Sequence, residues 1–228
     1  MISSGKYIIE RGHIIMDFND CLFCRTPEER VIYRFKDYFL YVGLGPILSG
    51  HILIIPNRHI KSFTNLPPDH RSTFYNIKEN IKTAFEKYFG ACLMFEHGNH
   101  KNGIGLHSHA HLHVIPTKLR DDIRCHIQTY NHSEILGDYK SENSEQLLDQ
   151  EYLFVDGVSD SIEISPRFYT FQEWPRKYFV RYLVLKATHR SLRELDWEKY
   201  PKVNVMKKTI EITKSILDKG GIYGKSKR

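Results

Sequence analysis

The chain has 228 residues, of which 41% are hydrophobic and 26% are charged, a composition typical of a globular protein with a sizeable core and not of a disordered chain. Its formal net charge of +6 favours anionic partners such as nucleotides, although the basic residues are scattered along the chain. No apolar run approaches the roughly 20 residues of a membrane-spanning helix, and the amino-terminal segment lacks the apolar stretch of a signal peptide. We therefore expect a cytoplasmic protein with no membrane partner.

The first half of the chain predicts an α+β unit. Residues 31–43 indicate two short strands, and residues 50–56 a third that a proline closes. A helix of about 20 residues should follow, because apolar side chains recur every three or four positions until Gly90. Those positions are Phe74, Ile77, Ile81, Phe85 and Tyr88. Two further strands, over 91–98 and in the histidine-rich segment 107–116, give the order β-β-β-α-β-β and a mostly antiparallel sheet.

The second half is less regular. Residues 119–150 are polar and predict a connector with short helical pieces, and residues 151–165 predict a hairpin around Asp156-Gly157. Two helices are expected, near 175–190 and 202–219. We therefore predict a domain over 15–118 and a C-terminal α+β extension over 119–228. The sequence leaves open whether the extension is a small separate unit or enlarges the first core.

Four histidines occupy alternate positions of the segment HSHAHLHVIP: His107, His109, His111 and His113. On a strand, alternate side chains share a face. The opposite face becomes apolar along the chain and suits a core, so the histidines should line a surface or a cleft. Imidazole is nearly neutral at pH 7 and can serve as a nucleophile, a general acid or base, or a metal ligand. A histidine-rich exposed strand without function is the alternative.

The heptapeptide HAHLHVI (109–115) resembles the signature of the histidine-triad (HIT) superfamily of nucleotide hydrolases and transferases, in which histidines alternate with apolar residues. The stretch SGHILIIPNRH (49–59) is similar to the strand and loop before the helix in that superfamily. The pair in CLFC (21–24) resembles the cysteines of its zinc-containing branches, and the loop FEHGNHKNGIGLHSH (95–109) resembles a bacterial-type branch. The resemblance covers residues 18–118 and implies a HIT-like antiparallel sheet with one long helix, while the C-terminal half resembles the extension of some larger members only weakly.

The resemblance implies roles for three histidines. His111 would be the nucleophile that attacks the α-phosphorus of a nucleotide and forms a covalent nucleotidyl-histidine intermediate. His113 would orient the reacting groups, and His51 would form a hydrogen bond within the same cluster. A shifted assignment, with His109 as the nucleophile, is disfavoured because Ser108 would break the apolar alternation.

The same resemblance implies a zinc site made of Cys21, Cys24, His59 and His109. Two cysteines and two histidines form a complete tetrahedral ligand set. Because no position would remain for water, the Zn²⁺ would be structural. A CxxC pair of thiols without metal is the alternative.

Two positions depart from the small phosphoramidase-type members of the superfamily. Those members have a serine where this chain has Leu106, and an aspartate that holds the ribose where this chain has Gly43. These departures argue against the phosphoramidase substrate profile. Glu96, His97 and Asn99, which precede the triad, are candidate substrate-binding residues.

The basic and aromatic run EWPRKYFVRYLVLK offers Arg176, Lys177 and Arg181 as candidate phosphate ligands. An amphipathic helix is the favoured interpretation, with Phe179 and Leu183 packed inward and the cations in water.

The sequence therefore predicts a histidine-triad nucleotide hydrolase or nucleotidyltransferase, acting on substrates such as dinucleoside polyphosphates. A first alternative is a phosphorylase or nucleotidyltransferase that uses phosphate or a sugar phosphate as acceptor. A second is a noncatalytic nucleotide- or RNA-binding module, with which the positive charge is compatible, although a nucleic-acid partner is not favoured. Dimers are common in the superfamily, so the resemblance is compatible with a homodimer.

Overall fold

The computed structural model describes residues 7–10, 13–16, 21–100, 109–159 and 162–220. Its strands are β1 (Tyr7–Glu10), β2 (His13–Met16), β3 (Val31–Arg34), β4 (Tyr38–Tyr41), β5 (Ile52–Pro56), β6 (Cys92–Gly98), β7 (Leu112–Ile115), β8 (His132–Leu136), β9 (Tyr152–Ser159) and β10 (Ile162–Phe171). Its α-helices are α1 (Pro68–Phe89), α2 (Ile123–Ile127), α3 (Phe179–Ala187) and α4 (Val203–Gly220). No helix in these described ranges is long and apolar enough to cross a bilayer.

Strands from both halves of the chain form one eight-stranded sheet in the order β3-β4-β5-β7-β6-β9-β10-β8. Each neighbouring pair is antiparallel, and β1 and β2 pair separately. The expected α+β class with an antiparallel sheet is confirmed. β6 and β9 join the strands of the two halves, with Cys92 opposite Val158 and Gly98 opposite Tyr152.

Each face of the sheet is covered by helices. On one face, α1 and α4 pack in a single cluster with Leu112 and Val114 of β7. On the other face, α2 and α3 pack with Ile115 of the same strand. The alternation predicted for the histidine segment is therefore present in β7, since its even-numbered side chains enter the core beneath α1 and its odd-numbered ones face α3.

The long helix follows its prediction closely. It ends at Gly90, whose φ of 75° is the left-handed conformation that glycine adopts without strain. Tyr88, expected inside, is 52% exposed. Lys78 is buried instead, and its Nζ lies 2.6 Å from Asp156 Oδ2 and 2.7 Å from Asp138 Oδ2. These ion pairs let a charged residue occupy an internal helix position.

One prediction for the second half was wrong, and a second was incomplete, because the segment 119–150 contains its short helical pieces but also a strand. Asp156 and Gly157 lie inside β9 and not at a turn, and β9 continues to Ser159, which pairs with Ile162 of β10. Glycine at 157 allows close strand approach, because a Cβ there would lie 2.7 Å from the carbonyl oxygen of Cys92. The predicted connector also contains β8, an edge strand whose residues are all partly or fully exposed and so lack an apolar pattern.

Glu96 makes the stability of this core depend on pH. Its carboxylate is fully buried and accepts hydrogen bonds from Phe63 N, at 2.9 Å, and from the hydroxyls of Tyr139 and Tyr152. Burial, opposed by these bonds, raises the pKa of Glu96 to about 7. Because the pKa is higher in the folded than in the unfolded chain, the stability from this group is present below the unfolded pKa and is lost as pH rises through 7.

We therefore expect the melting temperature of the wild type to fall relative to that of Glu96→Gln between about pH 5 and pH 7.5. The comparison is needed because buried histidines with a lowered pKa contribute to the profile with the opposite sign. Thermal melts of both proteins across this range provide the measurement. Equal slopes for the two proteins would contradict the assignment.

Candidate active site

A cavity of about 320 Å³ lies between the face of the central strands and the C-terminal half of the chain. The first half contributes five histidines to its wall, namely His51, His97, His100, His111 and His113. The C-terminal half contributes an aromatic and basic wall, namely Trp174, Lys177, Tyr178, Phe179, Val180, Arg181, Trp197 and Glu198. The cavity therefore requires both halves of the chain.

A chain of hydrogen bonds fixes the protonation of two of these rings. The backbone N–H of Ile47 donates to His51 Nδ1 at 3.1 Å, so this nitrogen carries no hydrogen. Neutral His51 must then carry its proton on Nε2, which donates to His113 Nδ1 at 2.9 Å. By the same logic, neutral His113 carries its proton on Nε2 and can donate it to a ligand.

His111 has the opposite arrangement. Its Nδ1 donates to the carbonyl oxygen of His109 at 2.9 Å, which leaves an unshared electron pair on Nε2. The ring lies 5.1 Å, centroid to centroid, from Phe23 on one side and 5.1 Å from His113 on the other. The arrangement therefore presents a basic nitrogen in a pocket wall whose neighbouring rings hold it in position.

The three rings are held in their neutral forms. Burial, strengthened by the charges of Arg181 and Lys202, lowers the pKa of His51 to about 3. Burial also lowers the pKa of His111 and, more strongly, that of His113. Neutral imidazole is the form that can act as a nucleophile, because protonation would consume the Nε2 electron pair.

The loop of residues 43–50, which contains the Ile47 N–H that bonds to His51, is held by the C-terminal half of the chain. Gly45 N donates to the carbonyl oxygen of Pro201 at 2.7 Å, and Lys202 Nζ donates to that of Ile47 at 3.1 Å. Gly50 N donates to Thr209 Oγ1 at 3.0 Å. Because the N–H of Ile47 fixes the tautomer of His51, these contacts connect the C-terminal half to the histidine cluster.

Beside the cavity, Cys21, Cys24, His59 and His109 lie together, with their ligand atoms all within 4.8 Å of one another. The Sγ atoms of both cysteines lie 3.5 Å from His109 Nδ1, and that of Cys24 lies 3.2 Å from His59 Nδ1. Sulfur and nitrogen bound to one tetrahedral Zn²⁺ are separated by roughly 3.5 Å. The set therefore fits a zinc ion.

The orientation of His109 strengthens this fit. Its Nε2 donates to the carbonyl oxygen of Pro56 at 2.9 Å. This bond leaves the lone pair on Nδ1, the atom that faces the cysteines. A second hydrogen bond that fixes the tautomer is the usual arrangement for a histidine metal ligand.

Two other groups of side chains in the described ranges could hold a cation, but each already has internal partners. In the first, His97, His100 and Glu151, the His97 Nε2 is bonded to Glu151 Oε1 at 2.8 Å. The second, Glu79, Asp138 and Asp156, surrounds the ammonium group of Lys78. The cysteine-histidine cluster is therefore the better candidate metal centre.

The three candidate substrate-binding residues separate in the structure. His97 lines the cavity and stacks on Trp174, with centroids 3.4 Å apart. Glu96 lies on the opposite face of β6, beneath α1, because adjacent strand residues point to opposite faces. Asn99 is 5% exposed and donates to the carbonyl oxygens of Leu147 and Gln150. Glu96 and Asn99 therefore have internal partners and do not line the cavity, while Leu106, His107 and Ser108 lie outside the described residues.

The favoured interpretation of the basic run is also wrong for one residue. Phe179 and Leu183 pack inward as expected, but Arg181 is only partly exposed and lines the cavity. Its guanidinium donates to backbone carbonyl oxygens and does not extend into water. The amphipathic pattern of the helix could not reveal the burial of Arg181, because it does not show which other element packs against the polar side of the helix.

Comparison with known proteins agrees with this geometry. The family described as HIT domain matches residues 25–119. The bis(5'-adenosyl)-triphosphatase of Dictyostelium discoideum is 30% identical over 108 residues, which cover 47% of this chain and 72% of that protein. This chain belongs to the HIT family.

Two further proteins match over a smaller share of their length or with lower identity. The asymmetrical bis(5'-nucleosyl)-tetraphosphatase of Schizosaccharomyces pombe is 30% identical over 101 residues, which cover 40% of this chain and 51% of that protein. The chain thus spans about half the length of that relative. The structure of yeast Ap4A phosphorylase in complex with Ap4A has a TM-score of 0.46 and 9% identity, covering 83% of this chain and 79% of that one.

Proposed function

We propose that this HIT protein is a nucleotide hydrolase or nucleotidyltransferase that acts at the α-phosphate through a covalent nucleotidyl-histidine intermediate. The observation that carries the proposal is the hydrogen bond from His111 Nδ1 to the carbonyl oxygen of His109. It leaves the Nε2 electron pair of a neutral ring in the wall of a cavity large enough for a nucleotide. The relatives named as dinucleoside polyphosphate hydrolases support the same reaction class.

In the first step, His111 Nε2 attacks the α-phosphorus, an N–P bond forms, and the bond from phosphorus to the leaving-group oxygen breaks. His113, whose Nε2 carries a proton, donates a hydrogen bond to the oxygen on which charge develops. In the second step, the oxygen of water or of another acceptor attacks phosphorus, the N–P bond breaks, and the electron pair returns to His111 Nε2. The acceptor's proton leaves with a neighbouring base.

The zinc proposal concerns stability and not the chemical steps. Cys21, Cys24, His59 and His109 would bind one Zn²⁺ with no open position for water. His109 would join the metal centre to the backbone that accepts the His111 hydrogen bond. The ion would therefore hold that carbonyl in place.

Intact-protein mass spectrometry tests the covalent step. The protein is mixed with a panel of dinucleoside polyphosphates and nucleotide esters, quenched in base, because histidyl phosphoramidates are acid-labile, and peptide-mapped. We expect a nucleotidyl adduct on His111. Product analysis with and without inorganic phosphate then identifies the acceptor. Turnover without any histidine adduct, even with slowly reacting substrates, would contradict the proposal.

A further inference from the structure

A buried hydroxyl of the last helix contacts the residue that precedes His51. Thr209 of α4 is fully buried, and its Oγ1 accepts the N–H of Gly50 at 3.0 Å and donates to the carbonyl oxygen of Val205 at 2.8 Å. The hydroxyl hydrogen is therefore used within the helix, and a lone pair of the oxygen is offered to a loop of the other half of the chain. Because a buried N–H requires an acceptor, this bond ties Gly50 to α4.

Gly50 lies inside the tight turn that brings the Ile47 N–H to the imidazole of His51. The backbone N–H of His51 donates to the carbonyl oxygen of Leu48 at 3.2 Å, and that of Ile47 donates to His51 Nδ1 at 3.1 Å. Both bonds close over Gly50, so the position of the Gly50 peptide determines whether the Ile47 N–H reaches the ring. Thr209 holds this peptide from outside the turn.

The Ile47 N–H selects between two neutral forms of the paired rings. In the first form, the proton between the rings lies on His51 Nε2, and His113 carries its own proton on Nε2. In the second form, His51 Nδ1 takes a proton from solvent, the proton between the rings moves to His113 Nδ1, and His113 Nε2 loses its proton to solvent. Both forms hold two protons, but the second sets the N–H groups of Ile47 and His51 against each other. In the second form, His113 Nε2 has no proton to donate to a ligand.

We propose that Thr209 is a positioning residue of the histidine cluster, which keeps the proton of His113 on Nε2 by holding the turn at Gly50. The effect on turnover rests on the proposed function, in which His113 donates that proton's hydrogen bond, whereas the effect on the tautomer does not. Lys202 Nζ, which donates to the carbonyl oxygen of Ile47 at 3.1 Å, holds the same turn at a second point. The C-terminal half thereby acts on the chemistry through the backbone of the first half.

Histidine NMR tests the tautomer without turnover. Long-range proton–nitrogen spectra of protein with isotope-labelled histidine distinguish protonated from unprotonated ring nitrogens, and the signals are assigned with His51→Gln and His113→Gln. We expect the wild type and Thr209→Ser, which keeps the hydroxyl, to show the first form. Thr209→Val keeps the shape but removes the acceptor, so the ratio of the second form to the first should rise about tenfold, the effect of one lost hydrogen bond.

Thr213 provides the matched control on the same helix. It is fully buried one turn further along α4, and its Oγ1 has no hydrogen-bond partner in the described part of the chain. Thr213→Val should therefore keep the tautomers of the wild type. Thr209→Ala removes the same hydroxyl with a smaller side chain, and it decides the test if Thr209→Val does not fold.

Steady-state kinetics with a dinucleoside polyphosphate tests the consequence for catalysis. We expect kcat of Thr209→Val to fall by the same factor as the share of the first form in the spectra, and KM to change less than about twofold, because binding does not depend on the missing proton. Thr209→Ser should restore both the tautomer and kcat.

Tautomers that do not differ between the wild type and Thr209→Val would overturn the proposal, even if kcat falls, because Thr209 would then have only a structural role. An equal shift in Thr213→Val would overturn it as well. Failure of the proposed function would look different: the tautomers of Thr209→Val would shift, although the wild type turns over no nucleotide.

Discussion

His111→Ala should lower the turnover of dinucleoside polyphosphates by at least about a thousandfold, because no neighbouring group within the described part of the chain can replace a nucleophile that forms a covalent intermediate. The nearest alternative ring, His113, has its Nδ1 occupied by the hydrogen bond from His51. Its Nε2 carries a proton and has no electron pair to donate. Steady-state product chromatography measures the loss.

The variant should keep its fold and its metal content, because His111 is only partly buried and is not a ligand of the cysteine-histidine cluster. His70→Ala is the matched control, since its side chain is 42% exposed on α1. Thermal melting and metal analysis accompany the kinetics. A His111→Ala protein that retains turnover within tenfold of the wild type would remove His111 as the nucleophile and leave the fold assignment unaffected.

The fold of the first half could be predicted because its signals are local. Strands β3 to β5 are short and rich in apolar residues, and α1 has a regular apolar spacing with a glycine at its end. Lys78 escaped this reasoning because its ion partners, Asp138 and Asp156, are about 60 or more residues away in sequence. Helix propensity and apolar spacing depend on nearby residues, so they cannot predict an ion pair between residues so far apart in sequence.

The site was only partly predictable for the same reason. The alternating histidines and the CxxC pair indicate catalysis and metal binding by their residue types and spacing alone, without knowledge of the fold. The loop at 43–50 has no such signal, although its contacts with Pro201, Lys202 and Thr209 hold the residue that sets the His51 tautomer. Arg181 is similar, since its place in the cavity wall depends on where α3 packs. Residues that act through tertiary contacts need coordinates to be found.

The cysteine-histidine cluster should carry the largest single contribution to stability. We expect Cys21→Ala or Cys24→Ala to release zinc and to lower the free energy of unfolding by about 3–5 kcal/mol, because a missing ligand leaves the metal weakly bound. For a chain of this size that corresponds to a melting temperature lower by about 10 °C. Metal analysis of the purified proteins and thermal melting provide the two measurements.

Cys125→Ala is the matched control, because Cys125 is an exposed free cysteine on α2 and belongs to none of the clusters that could bind a metal. It should keep both the zinc and the melting temperature of the wild type. A wild type purified without zinc, and not stabilised by added zinc, would show that the four side chains are only a thiol–imidazole cluster.

The cluster also couples stability to catalysis, which single catalytic variants do not. His109 contributes its side chain to the cluster, while its backbone carbonyl accepts the hydrogen bond from His111 Nδ1. Loss of zinc should therefore lower kcat as well as stability, because that carbonyl is no longer held in place. Zinc added back to a chelator-treated wild type should restore both together, whereas it should restore neither in Cys24→Ala. Recovery of activity without recovery of the melting temperature would show that the ion takes part in the reaction and does not merely support the strand that presents His111.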